Sequence, residues 1–225
     1  MVKVFSEISE KILTEQIKKV LEHSFTKKLV HRYFNPQINE PFSGSLFHTL
    51  GINDANQFGN DDLLSLNLLD ESVTARQIKE LTTGKFDQLL RALCDSYDVT
   101  QLDGEAYKPA IEIWGALSEI HGFGPTRVSK LLARKRPNLI PIRDSIVNKQ
   151  LQIEGHSWWR SLAATMRHSD VKESLNDLCL TIDMCAVPHL RVLDVAIWMH
   201  GSQSKAARKV RLELGMFELP NKLTN

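Results

Sequence analysis

The sequence predicts an all-α fold. Apolar residues recur at helical spacing along most of the chain, no stretch alternates apolar and polar residues as a strand would, and Asn, Asp, Thr, Gly or Pro mark the ends of the periodic segments. The chain has 225 residues, 42% of them hydrophobic, enough for a substantial core, and no internal repeat or low-complexity stretch divides it. We expect one helical unit over residues 1–225, built as two lobes with a cleft between them, because the first and last helices must pack around the middle.

The elements follow in order. Ile8, Ile12, Ile17, Val20 and Leu21 share one face of a first long helix, expected to end near Tyr33. Residues 33–51, YFNPQINEPFSGSLFHTLG, hold two prolines, two glycines and four aromatics and read as a long ordered loop. NDDLLSLNLLD opens on capping residues and forms a short helix; Thr74 starts another that breaks at Gly84, and KFDQLLRALCDSY continues as a separate one. A helix from about Tyr107 runs to the glycines at 122 and 124, and a second follows them. Beyond residue 156, SWWRSLAATMRHS, VKESLNDLCLTID, HLRVLDVAIWMHG and SKAARKVRLEL give four more helices.

The formal net charge is +1, so a polyanionic partner would have to be held by a local patch. Cys94, Cys179 and Cys185 form no CxxC pair; free buried thiols in a reducing compartment are expected, and three cysteines cannot make a four-Cys iron–sulfur site. MVKVFSEISEKI lacks the apolar core of a signal peptide, and no apolar run could span a bilayer. A cytoplasmic protein with no membrane partner is expected. No His/Cys/Asp/Glu spacing matches a zinc site, and neither metal nor cofactor is expected.

The stretch HGFGPTRVSKLLARKRPNLIPIRDSIV, residues 121–147, carries the most chemistry. Gly122 and Gly124 permit a tight reversal with positive φ, Phe123 between them can tuck inward, and Pro125 suits the first turn of the next helix. That helix start leaves backbone N–H groups unpaired, an anion site to which Thr126 can add a hydroxyl and His121 a ring nitrogen. From Ile120 to Arg143 there are six basic residues and no acidic one. Arg127, Lys130, Arg134 and Arg143 are therefore candidate phosphate contacts. A plain interhelical turn with cations placed for the helix dipole would read similarly.

IHGFGPTRVSKLL resembles the helix-hairpin-helix element that grips duplex DNA without reading its sequence, here spanning residues 107–136. The order of hairpin, amphipathic helix, Pro-containing link and Asp opening a new helix resembles the helix-hairpin-helix superfamily of DNA glycosylases. In that superfamily a catalytic aspartate follows the hairpin glycines by about twenty residues, and Asp144 in IPIRDSIVNKQL stands at the matching place. The lysine nucleophile of its strand-cutting members is matched by Thr126, so the resemblance implies base excision without lyase activity, with Lys130 a turn further along the helix. KLLARKRPNLIPIRDS and RVLDVAIWM also resemble signatures of an uncharacterised bacterial domain family, over about Tyr33 to Met199. No activity comes with that second resemblance.

A carboxylate at Asp144 could stabilise the sugar cation that develops as an N-glycosidic bond breaks, with Arg143 helping to keep it ionised; Asp is equally a favoured helix cap. A flipped base would need aromatic surfaces, for which Tyr33, Phe42, Phe47, Trp158 and Trp159 are the candidates, with Phe34, Trp114, His31, His48 and His156 considered beside them. Adjacent tryptophans point about 100° apart on a helix, so one of Trp158 and Trp159 is expected to face a cleft or an interface. The expectation is a monomeric, monofunctional DNA glycosylase that leaves an abasic site in duplex DNA. Its substrate would be a damaged or modified base, in repair or in defence against phage with modified DNA. One rival is a non-catalytic DNA-binding module that uses the same hairpin; another is a protein-binding protein in which the hairpin is only architecture.

Overall fold

The computed structural model describes residues 10–35, 42–153, 158–181 and 187–216. Among these there are twelve α-helices, two short 3-10 turns and no strand. The helices are α1 Glu10–Leu21, α2 Thr26–Phe34, α3 Asn60–Asn67, α4 Ala75–Leu81, α5 Asp87–Ala92 and α6 Tyr107–Ser118, then α7 Pro125–Lys135, α8 Ser145–Leu151, α9 Trp158–Thr165, α10 Ser169–Thr181, α11 His189–Gly201 and α12 Lys205–Glu213. None is long and apolar enough to cross a membrane.

The expected first long helix is two. α1 ends at Leu21, and the Thr26 hydroxyl reaches back to Val20 O at 2.5 Å while Thr26 N–H donates to His23 O. A threonine that satisfies the last turn of one helix and opens the next makes a break that apolar spacing does not register. Elsewhere the local signals act as expected. Thr74 and Gln77 cap α4 reciprocally, Gly84 takes φ +79°, and Pro125 occupies the first turn of α7. In the 33–51 segment, Ser43–Leu46 forms a 3-10 turn, while 36–41 lie outside the described residues.

Two buried helices organise the molecule. α11 packs on α1, α2, α8 and α10, with nine of its residues buried, including Arg191 and Asp194. α7 lies between α3 and α6 and is buried from Val128 to Lys135. The Pro-containing link 136–144 joins α7 to α8, and Ser129 holds it: its hydroxyl accepts from Arg143 N–H at 3.0 Å and lies 3.1 Å from Arg143 O. That hydroxyl fixes the residue before Asp144, and so the place where α8 begins.

Candidate active site

A cleft of about 380 Å³ opens where α2, the start of α7, the start of α8 and α11 meet. Its wall includes Tyr33, Phe42, Gly44, Thr126, Lys130, Asp144, Arg191, Asp194, Trp198 and Ser204. The volume falls within the usual range for small-ligand pockets.

Asp144 is the N-cap of α8. Its Oδ1 accepts from Ile146 N–H at 2.9 Å and Val147 N–H at 2.8 Å, and neither bond uses Oδ2. Capping therefore orients the carboxylate without consuming both of its oxygens. Arg143 has a different task from the expected one. Its Nε donates to Asn148 Oδ1 at 3.1 Å, and no hydrogen bond or ion pair joins it to Asp144.

Opposite lies a pair that sequence reasoning did not place in the site. Arg191 Nη1 pairs with Asp194 Oδ2, and Nη2 donates to Tyr33 Oη at 2.6 Å and Gly44 O at 3.1 Å. Both residues are buried. Burial pushes the Asp194 carboxyl up to about 7 against the pull of Arg191, and the charge of Asp144 adds to the rise. The sequence signal was available: Arg191, Asp194 and Trp198 lie at i, i+3 and i+7 of one helix, with both charges in an apolar run.

The aromatic wall is Tyr33, Phe42 and Trp198. Tyr33 stacks on Phe42 at 4.8 Å and 12°, and Trp198 meets both edge-on at 6.0 Å. Two of the five expected base-pocket residues thus line the cleft. Phe47 does not; it is fully buried against Ala133 and Ile142, with Arg191 over its ring. Trp158 and Trp159 are both core, each 1% exposed. α9 is surrounded closely enough to bury adjacent directions: Trp159 meets Trp114 edge-on at 5.3 Å, while Trp158 joins the apolar side chains of α8 and α11. His48 is half-buried, its basicity lowered by burial and by Arg191 and Arg134, and His156 lies outside the described residues.

The basic helix differs most from expectation. Arg134 is fully buried; it donates to Phe47 O and Leu50 O, with its Nε 3.4 Å from Asp62 Oδ1. Lys135 pairs with Asp62 and donates to Asn53 Oδ1 and Asp54 O, and burial still lowers its pKa. Arg136 collects Leu90 O and Leu93 O at the end of α5. Lys130 Nζ donates to Leu69 O at 2.7 Å and Glu71 Oε1 at 3.1 Å, and Arg127 also pairs with Glu71. These cations tie the loop after Phe47 and the segment after α3 to α7. Arg134 and Arg143, buried and bonded within the protein, are withdrawn as phosphate contacts.

What remains at the hairpin is its backbone. Phe123 is buried, with Arg127 over its ring at 5.3 Å. Gly122 has φ +82°, and its O is taken by Arg127 Nη1; His121 is exposed, with its O taken by Gln77 Nε2. Gly124 departs from expectation. It has extended backbone, φ −79° and ψ 173°, with open space where a Cβ would stand. The N–H groups of Gly124, Thr126 and Arg127 have no partner among the described residues, and no side chain caps α7. Among the described residues no three His, Cys, Asp or Glu side chains converge as metal ligands would.

The chain belongs to a family described only as being of unknown function, DUF6308, which matches residues 26–201 and so takes in every named cleft residue except Ser204. No curated protein and no solved structure is detectably similar to it.

Proposed function

We propose that the protein is a monofunctional DNA glycosylase with a helix-hairpin-helix, two-lobed architecture, and that the cleft beside Asp144 receives the flipped nucleotide. The observation that carries this reading is the meeting, in one cleft, of the Asp144 carboxylate, the Tyr33–Phe42–Trp198 wall and Thr126 from the uncapped start of α7. Aromatic faces stack a base pulled from the helix. A carboxylate held by two backbone N–H groups opposes the positive charge that grows at the sugar as the base departs. The free amides of α7, with the dipole behind them, suit the phosphate next to the flipped sugar.

Arg191 and Asp194 position rather than react in this scheme: the pair fixes Tyr33 and Gly44 at the floor of the cleft. Lys130 is not a lyase nucleophile, because its ammonium is held by Leu69 O and Glu71. Base loss should therefore leave the strand intact until alkali is added. The test is a panel of duplexes carrying alkylated, deaminated, oxidised and bulky modified bases, incubated with the full chain and scored for alkali-labile abasic sites. One substrate should be cleaved after alkali and none before it. Duplex binding with no abasic product on any substrate would favour the non-catalytic DNA-binding module.

A further inference from the structure

With the α7 cations turned inward, the exposed positive charge lies elsewhere. α2 carries Lys27 and Lys28 exposed and Arg32 half-buried, and α12 carries Lys205, Arg208 and Lys209 exposed. Residues 23–35 and 200–212 contain no Asp or Glu. The two helices pack together and are tied by Arg32 to Glu213 at 2.5 Å, and a shallow hollow between them is lined by Lys27, Lys28, His31, Arg32 and Leu214. Lys27, Lys28, Lys205, Arg208 and Lys209 have no acidic partner among the described residues. A solvated surface usually intersperses both signs, so five unpaired cations on adjoining helices make a local field that the +1 total conceals.

Both helices reach the cleft. Tyr33, in the last turn of α2, forms its aromatic wall, and Ser204, the N-cap of α12, stands on its rim one residue before Lys205. We infer that the outward faces of α2 and α12 form a phosphate-contacting surface for duplex DNA that leads to the cleft. The inference rests on the glycosylase reading for what the DNA delivers there. Charge complementarity selects the occupant, because the surface offers five exposed cations with no acidic partner among the described residues. An anionic membrane would call for an apolar face to insert beside the cations, whereas the apolar faces of α2 and α12 are spent on the core and Leu212 is the large apolar side chain they leave exposed.

The experiment measures the affinity of the full chain for a labelled duplex as a function of salt, for wild type and for Lys27→Gln/Lys28→Gln/Lys205→Gln/Arg208→Gln/Lys209→Gln. Excision of the panel substrates and binding to phosphatidylserine vesicles are followed in parallel. Each lost phosphate contact flattens the log–log salt slope by about 0.9, so the variant, with five cations removed, should lose roughly 4.5 units of slope and at least about 100-fold in affinity at low salt, with its melting temperature kept. A variant that binds duplex with the wild-type slope overturns the inference, whatever the excision assay gives. Wild-type protein that binds the vesicles and no duplex also overturns it. If binding depends on these five residues but no substrate yields an abasic site, the surface stands and the glycosylase reading falls.

Discussion

At Gly44 an added Cβ would stand inside contact distance of Tyr33 Oη and 2.7 Å from Leu69 Cδ2, with Arg191 Nη2 at 3.1 Å. Tyr33 has little freedom to yield, since its ring is stacked on Phe42 and its hydroxyl is bonded to Arg191. Gly44→Ala should therefore cost about 1–3 kcal/mol and displace the aromatic wall. Thermal melting and the binding of a duplex with a flipped-out base would show both losses, and a variant with wild-type values for each would deny the close packing at Tyr33. The sequence marks Gly44 as a loop glycine and no more, because the side chains that crowd it arrive from α2, from the segment after α3 and from α11. Asp144 lies at the other extreme: its capping role is legible from Asp-Ser-Ile-Val alone, since the bonds it makes are local.

The helix α7 shows why boundaries are easier to read than partners. Pro125, the glycines before it and the apolar period place it correctly, because each of those signals acts within a turn or two of chain. Its cations read as a surface because the acid-free stretch contains no counter-charge, yet Glu71 approaches from 56 and 59 residues upstream of its partners and Asp62 from 72. Arg134→Met removes one partner of a buried charge cluster and leaves Phe47 O and Leu50 O without their donor. The expected cost is about 3 kcal/mol, or a fall of roughly 10 °C in melting temperature, with the salt slope of duplex binding unchanged. An Arg134→Met protein with native stability and a flattened salt slope would make this side chain a phosphate contact after all. The adjacent tryptophans of α9 carry the same lesson, for helix geometry fixes their directions and neighbouring helices decide whether both directions are buried.

Across the whole molecule the charge is sorted by depth: buried cations on α7 fasten loops and helix ends, while unpaired ones on α2 and α12 face outward. Between the two sets lies the cleft, assembled from residues as far apart in sequence as Tyr33 and Ser204. Helical class and most helix starts were legible in the sequence because they are local. Of the cleft, motif and loop composition reach Asp144, Tyr33, Phe42, Thr126 and Lys130; Arg191, Asp194 and Trp198 lie in a run that reads as core, where two charges among apolar residues are the signal. The proposed base excision requires the Asp144 carboxylate to act on the sugar as well as to cap α8. Single-turnover base excision by Asp144→Asn, on whichever substrate the panel identifies, tests it most directly. The amide can still accept from Ile146 and Val147 N–H, so the account predicts a fold and duplex affinity close to wild type and a rate lower by about two to four orders of magnitude. Excision at the wild-type rate, with or without a loss of about 1 kcal/mol in stability, would show that Asp144 is a helix cap and nothing more.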